Sequence, residues 1–211
     1  MTKAFVINLE HRTDRFGRIK KDCENLKSIK IERFNALKGE PGWKYCGLSH
    51  LEIIKQNIHT NESILIFEDD CHIQDIHLFD DRWSNIKNWL DNNLDKWDIF
   101  NGGPTYVEQS KYLKLVNKNL NIVEVNVGKT THFIYYNKNS FDKILKWNSN
   151  NNIQIDEFHK WDDTLKILTS YPYLATQYNT YSDVSNFDIN FDKYFRRSQK
   201  TIRNYLNCYN F

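Results

Sequence analysis

Three consecutive acids, Glu68, Asp69 and Asp70, follow the apolar run Ile64 to Phe67. Like charges packed this closely repel, and a buried strand end tolerates them only with a cation or a set of donors to balance them. A hard divalent cation with oxygen ligands supplies that balance; a solvated turn of surface acids is the competing reading. Two further groups point toward the same place. Asn8-Leu9 with Arg12 and Arg15 leaves an early β-prone run, and the planar guanidinium fork of arginine suits a phosphate, although two arginines at a helix start are also ordinary surface chemistry. Cys46-Gly47-Leu48-Ser49-His50 is the third. Ser49 with Glu52 matches a Ser-x-x-Glu capping box, so the pattern has Ser49 opening a helix, with His50 in its first turn facing either the core or the ligand edge.

The elements that must position these residues are legible from hydrophobic period. Thr2 to Asn8 reads as a strand and Arg15 to Leu26 as a helix, with Phe16, Ile19, Cys23 and Leu26 at helical intervals; Ile29 to Phe34 alternates as a half-buried strand. Ser63 to Phe67 is too short for a helix and suits a central strand covered on both faces. His77 to Leu94 reads as a helix, Trp97 to Phe100 as a strand closed by Gly102-Gly103-Pro104, Tyr112 to Val127 as a hairpin and Thr130 to Tyr136 as a strand. Phe141 to Trp147 and Asp156 to Leu168 read as helices, Tyr173 to Thr176 as a short strand and Ile189 to Leu206 as a terminal helix. Strands alternating with helices and no internal repeat predict an α/β sandwich with a mostly parallel sheet, whose ligands bind beyond the carboxyl ends of the strands.

Composition narrows the classes. The chain has 211 residues, 40% of them hydrophobic, with 29 Lys and Arg against 27 Asp and Glu, and only 7 Gly and 3 Pro. Such a chain can bury a core and is neither linker-rich nor of low complexity. A net charge of +2 without a clustered basic face gives no footprint for a nucleic-acid partner. No apolar run approaches the roughly 18 residues of a membrane span, and Ala4 to Ile7 is too short for a secretory signal, so the expected location is the cytoplasm. Cys23, Cys46, Cys71 and Cys208 form no Cys-x-x-Cys pair and signal neither zinc nor redox chemistry. No EF-hand loop, nucleophile elbow, phosphate loop or dinucleotide fingerprint occurs.

Taken together, Val6-Ile7-Asn8-Leu9 with Arg12 and Asp14-Arg15, Cys46-x-Leu48-Ser49-His50, Ile66-Phe67-Glu68-Asp69-Asp70, Trp97-Asp98-Ile99 with Gly102, and Ile155-Asp156-Glu157-Phe158 resemble, in this order, glycosyltransferase family 25. That family includes lipooligosaccharide and collagen galactosyltransferases. Gln177 with Ser182-Asp183 looks like its C-terminal signature, so the resemblance covers about residues 3 to 185. It implies a single GT-A-like nucleotide-binding domain over residues 1–211, an inverting hexosyltransferase that moves galactose or glucose from a UDP-sugar to a glycan or protein hydroxyl. It further implies a divalent metal, Mn²⁺ foremost, at Glu68, Asp69 and Asp70, and a donor site drawn from Asn8, Leu9, Arg12, Arg15, Ser49, His50, Asp69, Gln177, Ser182 and Asp183. Inversion requires a carboxylate to take the acceptor's proton. Asp156 is the expected base, with Asp162 or Asp163 the fallback; an N-terminal helix position would hold Asp156 ionised, and an ordinary helix cap is the rival role. A catalytically inactive nucleotide-sugar-binding module is the alternative function.

The segment 189–206 is basic, with Arg196, Arg197, Lys200 and Arg203 interleaved with Tyr194, Phe195 and Tyr205. It reads as an amphipathic helix covering the sheet, or as a contact for an anionic acceptor or peripheral membrane surface.

Overall fold

Short strands buried at consecutive positions build the centre of the molecule. The computed structural model describes residues 1–107, 112–126, 129–179, 181–182, 187–188 and 190–208. In chain order these form β1 (Thr2–Asn8), α1 (Thr13–Cys23), β2 (Ile29–Asn35), α2 (Gly42–Asn57), β3 (Ile64–Glu68), β4 (Cys71–Ile73), α3 (Ile76–Asp91), β5 (Ile99–Asn101), β6 (Lys114–Asn117), β7 (Ile122–Val125) and β8 (Phe133–Tyr136). There follow α4 (Phe141–Ile144), α5 (Ile155–Trp161), β9 (Ile167–Ser170), β10 (Ala175–Gln177), β11 (Tyr181–Ser182), β12 (Phe187–Asp188) and α6 (Asp192–Asn207).

Eight strands make one sheet in the order β2-β1-β3-β8-β5-β9-β7-β6. β8 and β7 run against the other six, so the sheet is mixed but mostly parallel, as the pattern predicts. Successive side chains leave opposite faces of each strand. Phe5, Ile7, Ile64, Ile66, Ile134 and Tyr136 enter one core layer with Ile53 and Ile54 of α2, Ile155 of α5, and Phe195 and Ile202 of α6. Ala4, Val6, Leu65, Phe67, Phe133 and Tyr135 enter the other with Ile19 of α1 and Phe79 and Trp83 of α3. The result is a sheet covered on both faces, with β1, β3 and β5 ending at one common edge.

Three local readings change in the fold. The α2 helix begins at Gly42, so Ser49 sits in its interior and caps nothing: its Oγ donates to the Tyr45 carbonyl at 2.8 Å and accepts from the Leu37 amide at 2.9 Å. The helix starts early because Trp43 and Leu48 pack against the core, and Gly47 meets the Trp147 ring where a Cβ would lie 2.5 Å from it. The expected helix from Asp156 to Leu168 stops at Trp161, and Ile167 to Ser170 instead pairs with β5 and β7, because a slot buried on both faces outweighs local helical spacing. Asp156 is therefore not a cap either; Gln154 holds that position.

The terminal helix forms over Asp192–Asn207, burying Phe195, Ser198, Ile202 and Leu206 and exposing Arg196, Arg197, Lys200 and Arg203. No helix among the described residues is long and apolar enough to cross a membrane.

Candidate active site

The carboxyl edge of the sheet gathers the acids. Asp69, only 8% exposed, is clamped from β1 and α1: Asn8 Nδ2 donates to its Oδ2 at 2.7 Å and Arg15 Nη1 to its Oδ1 at 3.0 Å. The same Asn8 Nδ2 also reaches the Arg12 carbonyl at 2.9 Å, tying down the turn that leaves β1. Burial pushes the Asp69 carboxyl up, against the pull of Arg15 and Asn8.

Asp70 is held differently. Its backbone carbonyl accepts from the Tyr178 amide at 2.8 Å, and its Oδ2 accepts from Gln177 Nε2 at 3.0 Å. Its Oδ1 is shielded from solvent and has no partner, as do the side-chain oxygens Oε1 of Gln177 and Oδ1 of Asn8. Burial, and then the charges of Glu68 and Asp69, push the Asp70 carboxyl well above the usual range. Arg15, paired with Asp69, works against that rise, but the three shielded acceptor oxygens are left without donors beside crowded carboxylates. Gln177 arrives here because Gly103, at the end of β5, presses against β10: a Cβ on it would lie 1.9 Å from the Ala175 carbonyl oxygen.

Glu68 faces other partners. One oxygen, Oε1, lies 3.5 Å from Cys46 Sγ and 3.5 Å from His50 Nε2, and also accepts from Thr131 Oγ1. Burial opposes its charge, but hydrogen bonds from His50 and Thr131 hold its carboxyl below the usual range. His50 is fully buried, with Nδ1 3.3 Å from the Tyr136 hydroxyl.

Asp156 lies in the first turn of α5. Its Oδ2 accepts from the Thr130 amide at 3.1 Å and its Oδ1 from the Glu157 amide at 2.8 Å. Burial raises its carboxyl, and the Thr130 amide and Lys129 work against that rise. The donor Thr130 has a φ of 77°, strained for a β-branched residue, and Asn101 Nδ2 holds its carbonyl at 2.8 Å. The charges of Glu68, Asp70 and Asp156 all act on the Cys46 thiol, so these carboxylates share one neighbourhood.

The remaining expected residues fall elsewhere. The Arg12 guanidinium pairs with Asp14 at 3.1 Å on the exposed side of the turn, and Leu9 contributes its carbonyl to that turn. Ser49 staples α2 to residue 37. Asp162 Oδ1 accepts from the Thr164 amide at 3.0 Å, closing the turn after α5, and Asp163 is exposed. Of Ser182 only the backbone is described, in β11, and Asp183 lies outside the described residues. Thr130 and Asn101 were not signalled as site residues by sequence, and Thr131, which opens a stretch that resembles family 25, carried no sign of its contact with Glu68: a positive φ and an acceptor 63 residues away leave no local pattern.

No family model matches the chain, and no curated protein matches it in sequence. Among solved structures it is similar to a glycosyltransferase involved in the glycosylation of the major capsid of PBCV-1, with a TM-score of 0.48 and 8% identity over 94% of this chain and 98% of that one. It is also similar to UDP-glucose pyrophosphorylase, in the apo form (TM-score 0.40, 14% identity, 99% of this chain and 81% of that one) and complexed with UDP-glucose (0.42, 13%, 99% and 80%).

Proposed function

We propose that the chain is a glycosyltransferase that binds a nucleotide sugar, with UDP-galactose first and UDP-glucose second, and transfers the hexose with inversion to a glycan or protein hydroxyl. One observation carries this reading: a carboxylate oxygen of Asp70 and the amide oxygens of Gln177 and Asn8 are shielded without donors at the strand edge where α/β sheets bind their ligands. That donor set is all oxygen and short of positive charge, which fits a hard divalent cation such as Mn²⁺. Asp70 would hold it, with Asp69, Asn8 and Gln177 alongside. When bound, the ion offsets the charge that develops on a nucleoside diphosphate leaving group.

The chain's own residues do the rest. Arg15 and Asn8 lock Asp69, so the nucleotide end of the donor meets a preformed edge at β1. Gln177 fixes one oxygen of Asp70 and leaves the other without a partner. Asp156 takes the proton of the acceptor hydroxyl as the hydroxyl attacks the anomeric carbon. Its two oxygens are aimed by the Thr130 and Glu157 amides, and its raised pKa makes it a better base than a solvated aspartate. The order of the motifs, Asn8 at the end of β1 with Arg15 on α1, helix-borne Cys and His, strand-end acids and the Asp156 helix, supports the family 25 reading.

The test is release of UDP from UDP-hexoses by the full chain with Mn²⁺ and with EDTA. Metal-dependent turnover is expected. Full activity in EDTA overturns the cation's role, and binding without turnover makes the chain a nucleotide-sugar-binding module instead.

A further inference from the structure

Cys46 and His50 stand four residues apart on α2 and therefore share one face of that helix. The packing of Gly47 on Trp147 sets the rotation of α2, and this face meets the end of β3. There Cys46 Sγ and His50 Nε2 both approach Glu68 Oε1 at 3.5 Å, and the three atoms lie within 4.8 Å of one another.

We propose that Cys46, His50 and Glu68 form a binding site for a borderline-soft divalent transition ion of the zinc class, distinct from the all-oxygen position at Asp70. Zinc bonds of about 2.3 Å to sulfur and about 2.0–2.1 Å to nitrogen and oxygen, at tetrahedral angles, put neighbouring ligand atoms roughly 3.3–3.6 Å apart. Two edges of the triangle already have that length, and the third, no longer than 4.8 Å, is the one that ligation has to shorten. Hydrogen bonding alone explains the arrangement poorly. Three donors, from Cys46, His50 and Thr131, converge on a single carboxylate oxygen, which offers about two lone pairs. Coordination of sulfur and nitrogen to an ion removes two of those donors.

The histidine is also oriented for ligation. A metal-bound imidazole uses its second nitrogen to hydrogen-bond a neighbour that fixes the ring, and His50 Nδ1 faces the Tyr136 hydroxyl while the two rings stand edge to face at 89°. Sulfur and imidazole select zinc, cobalt or copper over magnesium or calcium, so the two positions differ in the ions they take. Burial keeps the Cys46 thiol protonated without metal. Ion capture breaks the S–H bond, forms a sulfur–metal bond and releases one proton to the solvent, so affinity rises with pH. Three protein ligands leave a fourth position for water or substrate.

Co²⁺ serves as the probe. Titration of the EDTA-treated full chain should produce a near-ultraviolet thiolate-to-cobalt band that Cys46→Ser abolishes, His50→Gln weakens at least tenfold in affinity, and Asp70→Asn leaves in place. X-ray absorption of the zinc-loaded wild-type protein should show one sulfur neighbour, which needs no variant to fold. No band, a band unchanged by Cys46→Ser, loss of the band in Asp70→Asn, or a zinc shell of oxygen and nitrogen alone each overturns the proposal. None of these readouts depends on a nucleotide sugar, so failure here is distinguishable from failure of the glycosyltransferase reading.

Discussion

Asp98 and Asp70 stand at opposite edges of the same sheet, one just before β5 and the other just after β3, and they are treated in opposite ways. The Asp98 carboxylate has a full set of donors: Lys143 Nζ reaches Oδ1 at 2.9 Å and the Lys166 amide reaches Oδ2 at 2.8 Å. Its neighbours are equally matched, with Tyr135 donating to Asp91 at 2.8 Å and the Trp97 indole to the Leu90 carbonyl at 2.9 Å. Asp70 has one neutral side-chain donor, a partnerless oxygen, two ionisable acids beside it and the charge of Arg15, which is already paired with Asp69. A carboxylate with its partners built in ties chain segments together; one left short of positive charge is poised for a ligand the chain does not itself supply.

The largest effect should come from Asp156. Asp156→Asn should lower turnover by about 100- to 10,000-fold while folding and donor binding persist. A rate within about threefold of wild type would remove Asp156 from the base role and leave its amide contacts as helix-end structure.

Acid should act next, through bases rather than acids. Burial lowers His132 to about 4 and His159 to about 3, against an ordinary 6.5. Both stay neutral in the folded chain and protonate on unfolding, so their stabilisation is present above pH 6.5 and is lost as pH falls toward the folded values. The loss is on the order of 3 kcal/mol for each at pH 4. The raised carboxyls of Asp69, Asp70 and Asp156 oppose the trend, since their protonation relieves buried charge. His159→Phe should therefore shift the acid-unfolding midpoint to lower pH; an unchanged midpoint would assign the acid limb elsewhere.

At the matched edge, Asp98→Ala should destabilise by about 2 kcal/mol, since it strands the Lys166 amide and removes the partner of a partly exposed lysine. Any Mn²⁺-dependent stabilisation should be unaffected. The mirror experiment is smaller and opposite in sign. Asp70's folded pKa is raised, so its contribution is present below the ordinary carboxyl range and is lost as pH rises through the raised value; above that value, where the melting comparison is to be made, its buried charge is a burden. Asp70→Asn should raise the melting temperature of the metal-free chain by about 2–4 °C, on the order of 1 kcal/mol, and abolish stabilisation by Mn²⁺. Destabilisation by Asp70→Asn in EDTA would show that both edges are built alike, and the comparison would collapse.

What sequence alone determined is whatever depends on short-range pattern. The run Ile64 to Phe67 suits a strand buried on both faces, and chain polarity then carries Glu68, Asp69 and Asp70 to its carboxyl end. Thr2 to Asn8 obeys the same rule and brings Asn8 to the same edge. Tertiary structure decided which acid is matched and which is not. Asp69 is clamped by residues 61 and 54 positions away and Asp70 by one 107 positions away, while the serine that reads as a cap lies inside a helix begun by core packing. Leu168 follows helical spacing yet belongs to a strand, because the sheet had a place for it between β5 and β7. Hydrophobic period is written in adjacent residues, whereas the balance of a buried charge is the sum of groups that only the folded chain brings within hydrogen-bonding distance.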